Sequence, residues 1–545
     1  MAREKPIRGG CSPRSLALSL AFGVLFALPN GLSVGLSASF GRGETLLVCV
    51  GLIASAMLTL LFLDRISGLL ECRLEDRRPP AFSCRKRFWF VCFALLEASF
   101  VFVLLANFPG FCTVDSNDVV DQVLGTSHYS SWHRYDGLSN HHPVFYTFCV
   151  WVVFQATSFL GSVDASVFCF LLVQLTFVAW GCAWSLSWLN ARSGSRLCVV
   201  LAAAFYLLSP VLAAHAPLMW KDVPFAIVVV VLVLKLFDFS RADHLSRKDV
   251  AVLFALLSGL CLLRNNGLYV SLAVLAYLLA VFPAFRKGVF FVLVALVAGV
   301  FVLQGPVFHA LSIEQGHFSE SVGVPLQQVA AVVAQEGDLT EAQEEFLNQV
   351  IPLDEMADLY TPSVVNPIKF SEDFDDAFLE SHKMEFLAVW LQLLPENVAT
   401  YVKAWAAETQ GYWEWGYRGP IGAATTLRGA DPVSLVGVEW NPSLLSDGLA
   451  ARFPLLFSTG SVVWLVVAAV FLCAMRKRSL SVPAALACFV PLLALLLTLF
   501  AAAPIAADFR YVLSLYLSIP FLVALVGAFE GAGTGPSRVP AIGQR

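Results

Sequence analysis

Apolar runs of about twenty residues recur along this chain, and a bilayer crossing needs roughly 17–25 of them. Candidate spans fall at 15–37, 44–63, 88–108, 165–189, 197–213, 222–239, 250–263, 267–284, 288–308, 453–475, 481–505 and 508–530. The composition agrees: 58% of the residues are hydrophobic and only 14% charged, against about 45–50% and about 25% in soluble domains. The expected fold is an all-α polytopic membrane protein with about 12 transmembrane helices, so the lipid bilayer is its first partner. The thirteen cysteines lie mostly in apolar runs. They show neither a disulfide framework nor zinc-ligand spacing and read as small hydrophobes. The basic start MAREKPIR is followed by no clear small-residue cleavage site, so the first run reads as a retained span.

Segment 143–160 is also apolar, and whether it crosses decides the orientation of everything after it. Cytoplasmic loops are enriched in Lys and Arg. With 143–160 not crossing, the inside segments collect the basic N-terminus, the cluster at 65–87, Arg192, Arg196, Lys235, Arg241, Arg247, Lys248, Arg286, Lys287 and the triplet 476–478. The short outside loops then hold only Arg42, Arg134, Lys221, Arg264 and Arg510. Letting 143–160 cross reverses this bias downstream. We therefore expect an apolar helix lying at the outer interface, with both termini cytoplasmic. The expected organisation is a membrane module over 1–308 with an exterior loop at 109–164, an exterior and mostly helical acidic region over 309–452, and further membrane helices with a short tail over 453–545. The region 309–452 carries 22 Asp and Glu against six Lys and Arg, formally −16. That balance argues against nucleic acid or any other polyanion as a partner. Thr340 and Gln343 have the spacing of a capping box at the start of one of its amphipathic helices.

The stretch FPGFCTVDSNDVVDQVLGTSHYSSWHRYDGLSNHHPVF, 108–145, follows the third run and carries Asp115, Asp118, Asp121, Asp136, His128, His133, His141 and His142. Asp115 stands seven residues beyond the span, behind Pro109-Gly110. A carboxylate there suits a general base toward a hydroxyl, a metal ligand, or the cap of a helix starting at Asp115-Ser116-Asn117-Asp118. Asp118 lies one helical turn on, where like charges raise each other's pKa or recruit a cation. His141-His142-Pro143 opens the interfacial helix; one imidazole suits a phosphate or the orientation of Asp115. Adjacent histidines on a helix diverge, which disfavours a two-histidine metal clamp. His128 and His133 read as surface groups. Lys221, in MWKD, either holds a phosphate as a point charge or snorkels. Arg264-Asn265-Asn266 interrupts a single apolar run from 250 to 284, and polar residues in such a run usually face a cavity. Asp508-Phe509-Arg510-Tyr511 has the same character, or is a self-satisfied pair. Cations suit a phosphate leaving group, a carboxylate suits deprotonating a hydroxyl, and both sit where a lipid-linked substrate presents its head group.

The stretches FPGFCTVDSNDVVDQ, SNHHPVFYT, MWKDVPF, LRNNGLYV, SVGVPLQQVAAVVAQEG, QGYW and DFRYVL give the chain a resemblance to the GT-C superfamily of integral membrane glycosyltransferases, and within it to an uncharacterised bacterial family. The resemblance implies a polyprenyl-phosphate-linked sugar as donor and a glycan, lipid or protein of the cell envelope as acceptor. It also implies transfer on the exterior face with inversion and Asp115 as the general base. Basic exterior residues would hold the donor phosphate. We assign Lys221, Arg264 and Arg510 to it by topology and charge, with His142 and Asn265 beside them. The class often pairs two acids in this loop. Here Ser116 follows Asp115, so a divalent metal, Mg2+ or Mn2+ on Asp115 and Asp118, is a weaker expectation. The alternative is a transporter or flippase of lipid-linked or small polar envelope precursors. It predicts polar breaks near the bilayer midplane and symmetric halves, whereas most charges here sit at the outer edge and no internal repeat is evident.

Overall fold

The computed structural model of the protein describes residues 12–37, 42–75, 82, 85–130, 133–135, 137–192, 195–419, 427, 431–475, 481–502 and 508–527. Asp136, the basic triplet 476–478 and both terminal segments lie outside these residues.

The protein is a helical polytopic membrane protein. Among the described residues, seven stretches are long and apolar enough to cross a membrane: Pro13–Gly31, Gly43–Arg65, Arg85–Ala106, Val163–Arg192, Asp222–Ser240, Pro283–Ala310 and Val482–Ala501. Each coincides with an expected span. The other five expected spans are shorter or broken apolar helices. The first eight helices are α1 (Pro13–Ser37), α2 (Arg42–Glu75), α3 (Arg85–Ala106), α4 (Val114–Leu124), α5 (Val144–Thr157), α6 (Val163–Arg192), α7 (Arg196–Leu208) and α8 (Pro210–His215). The next four are α9 (Asp222–Ser240), α10 (Arg247–Leu263), α11 (Gly267–Val281) and α12 (Arg286–Val302). Pro210 separates α7 from α8, as expected where a proline removes a donor from the ladder. Between α4 and α5 the chain makes a small antiparallel hairpin, β1 (His128–Ser130) with β2 (His133–Tyr135). An entirely helical reading missed it.

Two contacts place α5. His142, just ahead of α5, touches Lys221 at the start of α9, with Nδ1 2.9 Å from Nζ. Arg192, at the end of α6, pairs with Asp238 near the other end of α9 at 2.8 Å. Over sixteen residues of rise, from 222 to 238, α9 separates these points by about 24 Å. So α5 starts at one end of the bundle, and α6 finishes at the other. A single crossing by α6 then requires α5 to begin and end on the same side. Its 14 residues reach only about 21 Å, and Phe148, Trp151, Val152 and Phe159 leave an apolar outer flank. Tyr146 meets Gln174 at 3.0 Å and Thr157 meets Ser166 at 2.9 Å, so α5 runs antiparallel along the first turns of α6 rather than flat in the interface as expected.

The segment after α3 is strapped down on both sides. Phe108 exchanges backbone hydrogen bonds with Val433 at 2.8 and 2.7 Å, Phe111 N donates to Pro217 O at 3.0 Å, and Met219 N donates to Phe111 O at 2.9 Å. Gln174, from α6, donates to the carbonyls of Ala216 and Leu218 at 3.0 and 2.7 Å and accepts from the Tyr146 hydroxyl at 3.0 Å. These bonds align the loop carrying Asp115 beside the loop carrying Lys221. Gly110 makes the turn with φ +126°, and a Cβ there would meet Leu171 Cδ1 at 2.0 Å. Gly110→Ala should therefore cost about 1–3 kcal/mol through backbone strain and overpacking. The check is the melting temperature of the detergent-purified protein, which an unimportant strap would leave unchanged.

Residues 318–401 build a second core of their own around Leu326, Val329, Leu347, Phe386, Leu393 and Tyr401. The amphipathic stretches 326–336 and 340–351 form helices at Gly323–Ala334 and Glu341–Val350, and the Thr340–Gln343 capping box forms, with Thr340 N donating to Gln343 Oε1 at 3.0 Å. This region meets the bundle beside the histidine pair: Asn140 N donates to Glu314 O at 2.7 Å, and Glu314 N donates to Leu138 O at 2.9 Å.

Candidate active site

At the end of the bundle where these loops meet, residues far apart in sequence form one chain of charges. Asp115 Oδ2 accepts from Arg510 Nη1 at 2.7 Å and lies 3.6 Å from Lys221 Nζ. Arg510 Nε faces Asp508 Oδ2 at 2.9 Å, and Nη2 donates to the Tyr511 hydroxyl at 3.0 Å. Its guanidinium lies 4.6 Å from the Trp220 ring centroid and 4.8 Å from that of Tyr511. Lys221 continues to His142 Nδ1, and His142 Nε2 lies 3.5 Å from Asp118 Oδ2.

Local sequence explains why Asp115 is available. The N-cap of α4 is Thr113, and the Ser116 hydroxyl accepts from Thr113 N at 2.9 Å while donating to Met219 O at 2.7 Å. The capping position once open to Asp115 is therefore filled two residues earlier. Asp115 becomes the second helical residue, and its carboxylate reaches out to Arg510 and Lys221. Burial alone would raise that carboxyl, but the charges of Arg510 and Lys221 and the Arg510 hydrogen bond hold it well below the usual carboxylate range. Asp118, one turn on, goes the other way. Burial, then the charges of Asp115 and Asp121, push it up to about 7, against a smaller opposing effect of Lys221. His142 is buried and held well below the usual imidazole range, first by burial and then by Lys221. It is therefore neutral, and its Nδ1 accepts from the Lys221 ammonium, which leaves the proton on Nε2, facing Asp118.

The two histidines are not on α5 as expected. They lie in the bend before it, with ring centroids 4.4 Å apart, and Pro143 caps the helix. The five residues expected to hold a phosphate divide into two groups. Lys221, Arg510 and His142 share the cluster with Asp115. Arg264 is set apart by its partner: it pairs with the buried Asp222 at 3.0 Å and lies over Phe225 and Tyr511 at 5.4 and 5.1 Å. Asn265 reaches the Asn140 carbonyl at 3.5 Å, at the edge of a mainly apolar cavity of about 220 Å³ that also touches Phe148, Leu262 and Leu311.

The donor set does not suit a divalent ion on Asp115 and Asp118. Among the described residues no group of three or more His, Cys, Asp or Glu is arranged to hold one. An arginine and a lysine already flank the Asp115 oxygen that a metal would need. Several residues of the site carried no role in the sequence reading. Asp222, Trp220 and Tyr511, quoted there only as neighbours of the cations, hold them, and Tyr412 is buried with its hydroxyl unpartnered. Gln174 was discoverable as a lone amide inside the apolar run LLVQLTF.

Residues 109–425, more than half of the 545-residue chain, match the model of a family of unknown function, DUF6020. The match includes Asp115, His142, Lys221 and Arg264 and stops short of Arg510. No curated protein and no solved structure matches the chain.

Proposed function

The chain belongs to the DUF6020 family, and we propose that it is a GT-C-type membrane glycosyltransferase with about twelve crossings. On this reading it moves a sugar from a polyprenyl-phosphate donor to a cell-envelope acceptor at the exterior face. The observation that carries the reading is a single carboxylate oxygen, Asp115 Oδ2, faced by two cations, Arg510 and Lys221, from distant parts of the chain. Without substrate, the carboxylate balances the cations. With substrate, the same cations suit the phosphate that leaves. In the transfer, a bond forms between the acceptor oxygen and the anomeric carbon. The bond from that carbon to the phosphate oxygen breaks, and the electron pair leaves with the polyprenyl phosphate. The hydroxyl proton passes to a carboxylate of the first loop. Attack from the face opposite the leaving group inverts the anomeric centre.

Mass spectrometry of envelope glycans and polyprenyl-linked lipids, with and without the gene, tests the reading. An accumulating polyprenyl-phosphate sugar and a missing glycan unit are expected; unchanged pools of both would reject it. The exterior placement rests on the basic residues Arg192, Lys235, Arg241, Arg247 and Lys248 at the end of the bundle away from Asp115. Glu345→Cys, on an exposed helix position of the acidic region, should react with an impermeant maleimide on intact cells. Lys248→Cys should react only after permeabilisation, both measured against the wild-type chain. The opposite pattern would invert the orientation.

A further inference from the structure

We propose that Asp118, rather than Asp115, accepts the acceptor proton, with His142 as its positioning residue; this rests on the glycosyl-transfer reading. The two carboxylates occupy successive turns of α4 in opposite surroundings. Asp115 is clamped by Arg510 and Lys221. Asp118 lies 3.5 Å from Nε2 of His142, a buried ring nitrogen that makes no hydrogen bond among the described residues. A carboxylate locked between two cations is ionised at every working pH but is a weak base. Pairs of acids whose surroundings drive them apart mark a division of labour between charge and proton transfer.

The titratable groups facing Asp118 are Asp115 and Asp121 from its own helix, Lys221 from the loop before α9, and the neutral His142 from the segment before α5. Burial with Asp115 and Asp121, against Lys221, puts the Asp118 carboxyl at about 7, near the value at which a general base works best at neutral pH. In this scheme the acceptor hydroxyl gives its proton to Asp118 as its oxygen bonds to the anomeric carbon. The polyprenyl phosphate departs with its electron pair toward Lys221 and Arg510. Asp115 holds those two cations in register and touches no reacting atom.

The test uses the full-length protein in nanodiscs and dicyclohexylcarbodiimide, an apolar reagent that adds to protonated carboxyls. Peptide mass spectrometry across pH 5–9 should find the adduct on Asp118, half-maximal near pH 7, and none on Asp115. Labelling of Asp115 at neutral pH, or none of Asp118 above pH 5, overturns the assignment. A second arm measures transfer from a panel of synthetic polyprenyl-phosphate hexoses. Asp118→Asn should lower kcat by about 10²–10⁴-fold and abolish the acid limb of the rate profile. A variant that transfers at the wild-type rate also overturns it. If wild-type protein transfers none of the panel, the function reading loses its support, while the labelling arm still decides which acid carries the proton.

Discussion

Asp115→Asn should lower transfer by about 10²–10³-fold, the usual loss when one preorganised electrostatic group is removed from a reaction centre. The side chain keeps its size and its place at the second position of α4, because Thr113 and Ser116 cap that helix without it. What disappears is the negative charge that Arg510 Nη1 meets at 2.7 Å and Lys221 Nζ at 3.6 Å. Two further consequences separate this role from that of a base. The first concerns pH. The Asp115 charge is one of the causes that raise Asp118, so removing it must lower the folded-state value of Asp118. A base is active above its pKa, so the acid limb of kcat/KM should move to lower pH even as the plateau falls. The second concerns binding. The carboxylate competes with a phosphate for the same cations, so affinity for polyprenyl phosphate should rise in the variant. Stability should fall only by about 1–3 kcal/mol, because Arg510 keeps Asp508 at 2.9 Å. Wild-type transfer, or an acid limb fixed in place with weaker phosphate binding, would contradict this account.

Seven of the twelve apolar runs became helices long enough to cross, because uninterrupted length is what hydropathy reads directly. The others were harder for particular reasons: Pro210 cuts one run, Arg264-Asn265-Asn266 cuts another, and their pieces are held by neighbours rather than by length. Charge counting kept α5 from crossing, and the contacts His142–Lys221 and Arg192–Asp238 put its start and the finish of α6 at opposite ends of α9; its antiparallel packing on α6 was not legible in the sequence. The site was legible as a set of polar interruptions, since charge inside apolar sequence is costly enough to need a purpose. Its internal pairing was not. The sequence around Arg264 gives no sign that Asp222 neutralises it, because that partner sits 42 positions away. Nor does DSNDVVD show which acid is clamped: both lie on one helix, and only the approach of Arg510, 395 residues further on, distinguishes them. The cap alternative for Asp115 is the one the structure removes, because Thr113, a good cap in its own right, lies two residues ahead of it.

The larger structural effect is expected at Arg510. Its guanidinium serves four neighbours at once: Asp115 at 2.7 Å, Asp508 at 2.9 Å, the Tyr511 hydroxyl at 3.0 Å and the Trp220 ring at 4.6 Å. Arg510→Ala strands two carboxylates in a mostly buried setting. Breaking a buried ion pair from one side costs about 3–5 kcal/mol, more than the Asp115 variant loses, because no second cation is paired with Asp508 in the same way. Transfer should fall by at least about 10²-fold, since the charge for the departing phosphate goes with it. Arg510→Lys should rescue little of either. An ammonium is a point charge and cannot span Asp115 and Asp508 from the two edges of a planar fork. Adding Asp508→Asn to Arg510→Ala separates the two losses. The double variant should recover part of the melting temperature, because one stranded charge is gone, and none of the transfer rate, because Lys221 is left alone with the phosphate. Recovery of both together would mean that Arg510 acts only through the fold. A single Arg510→Ala variant that keeps both its melting temperature and its activity would remove Arg510 from the site altogether.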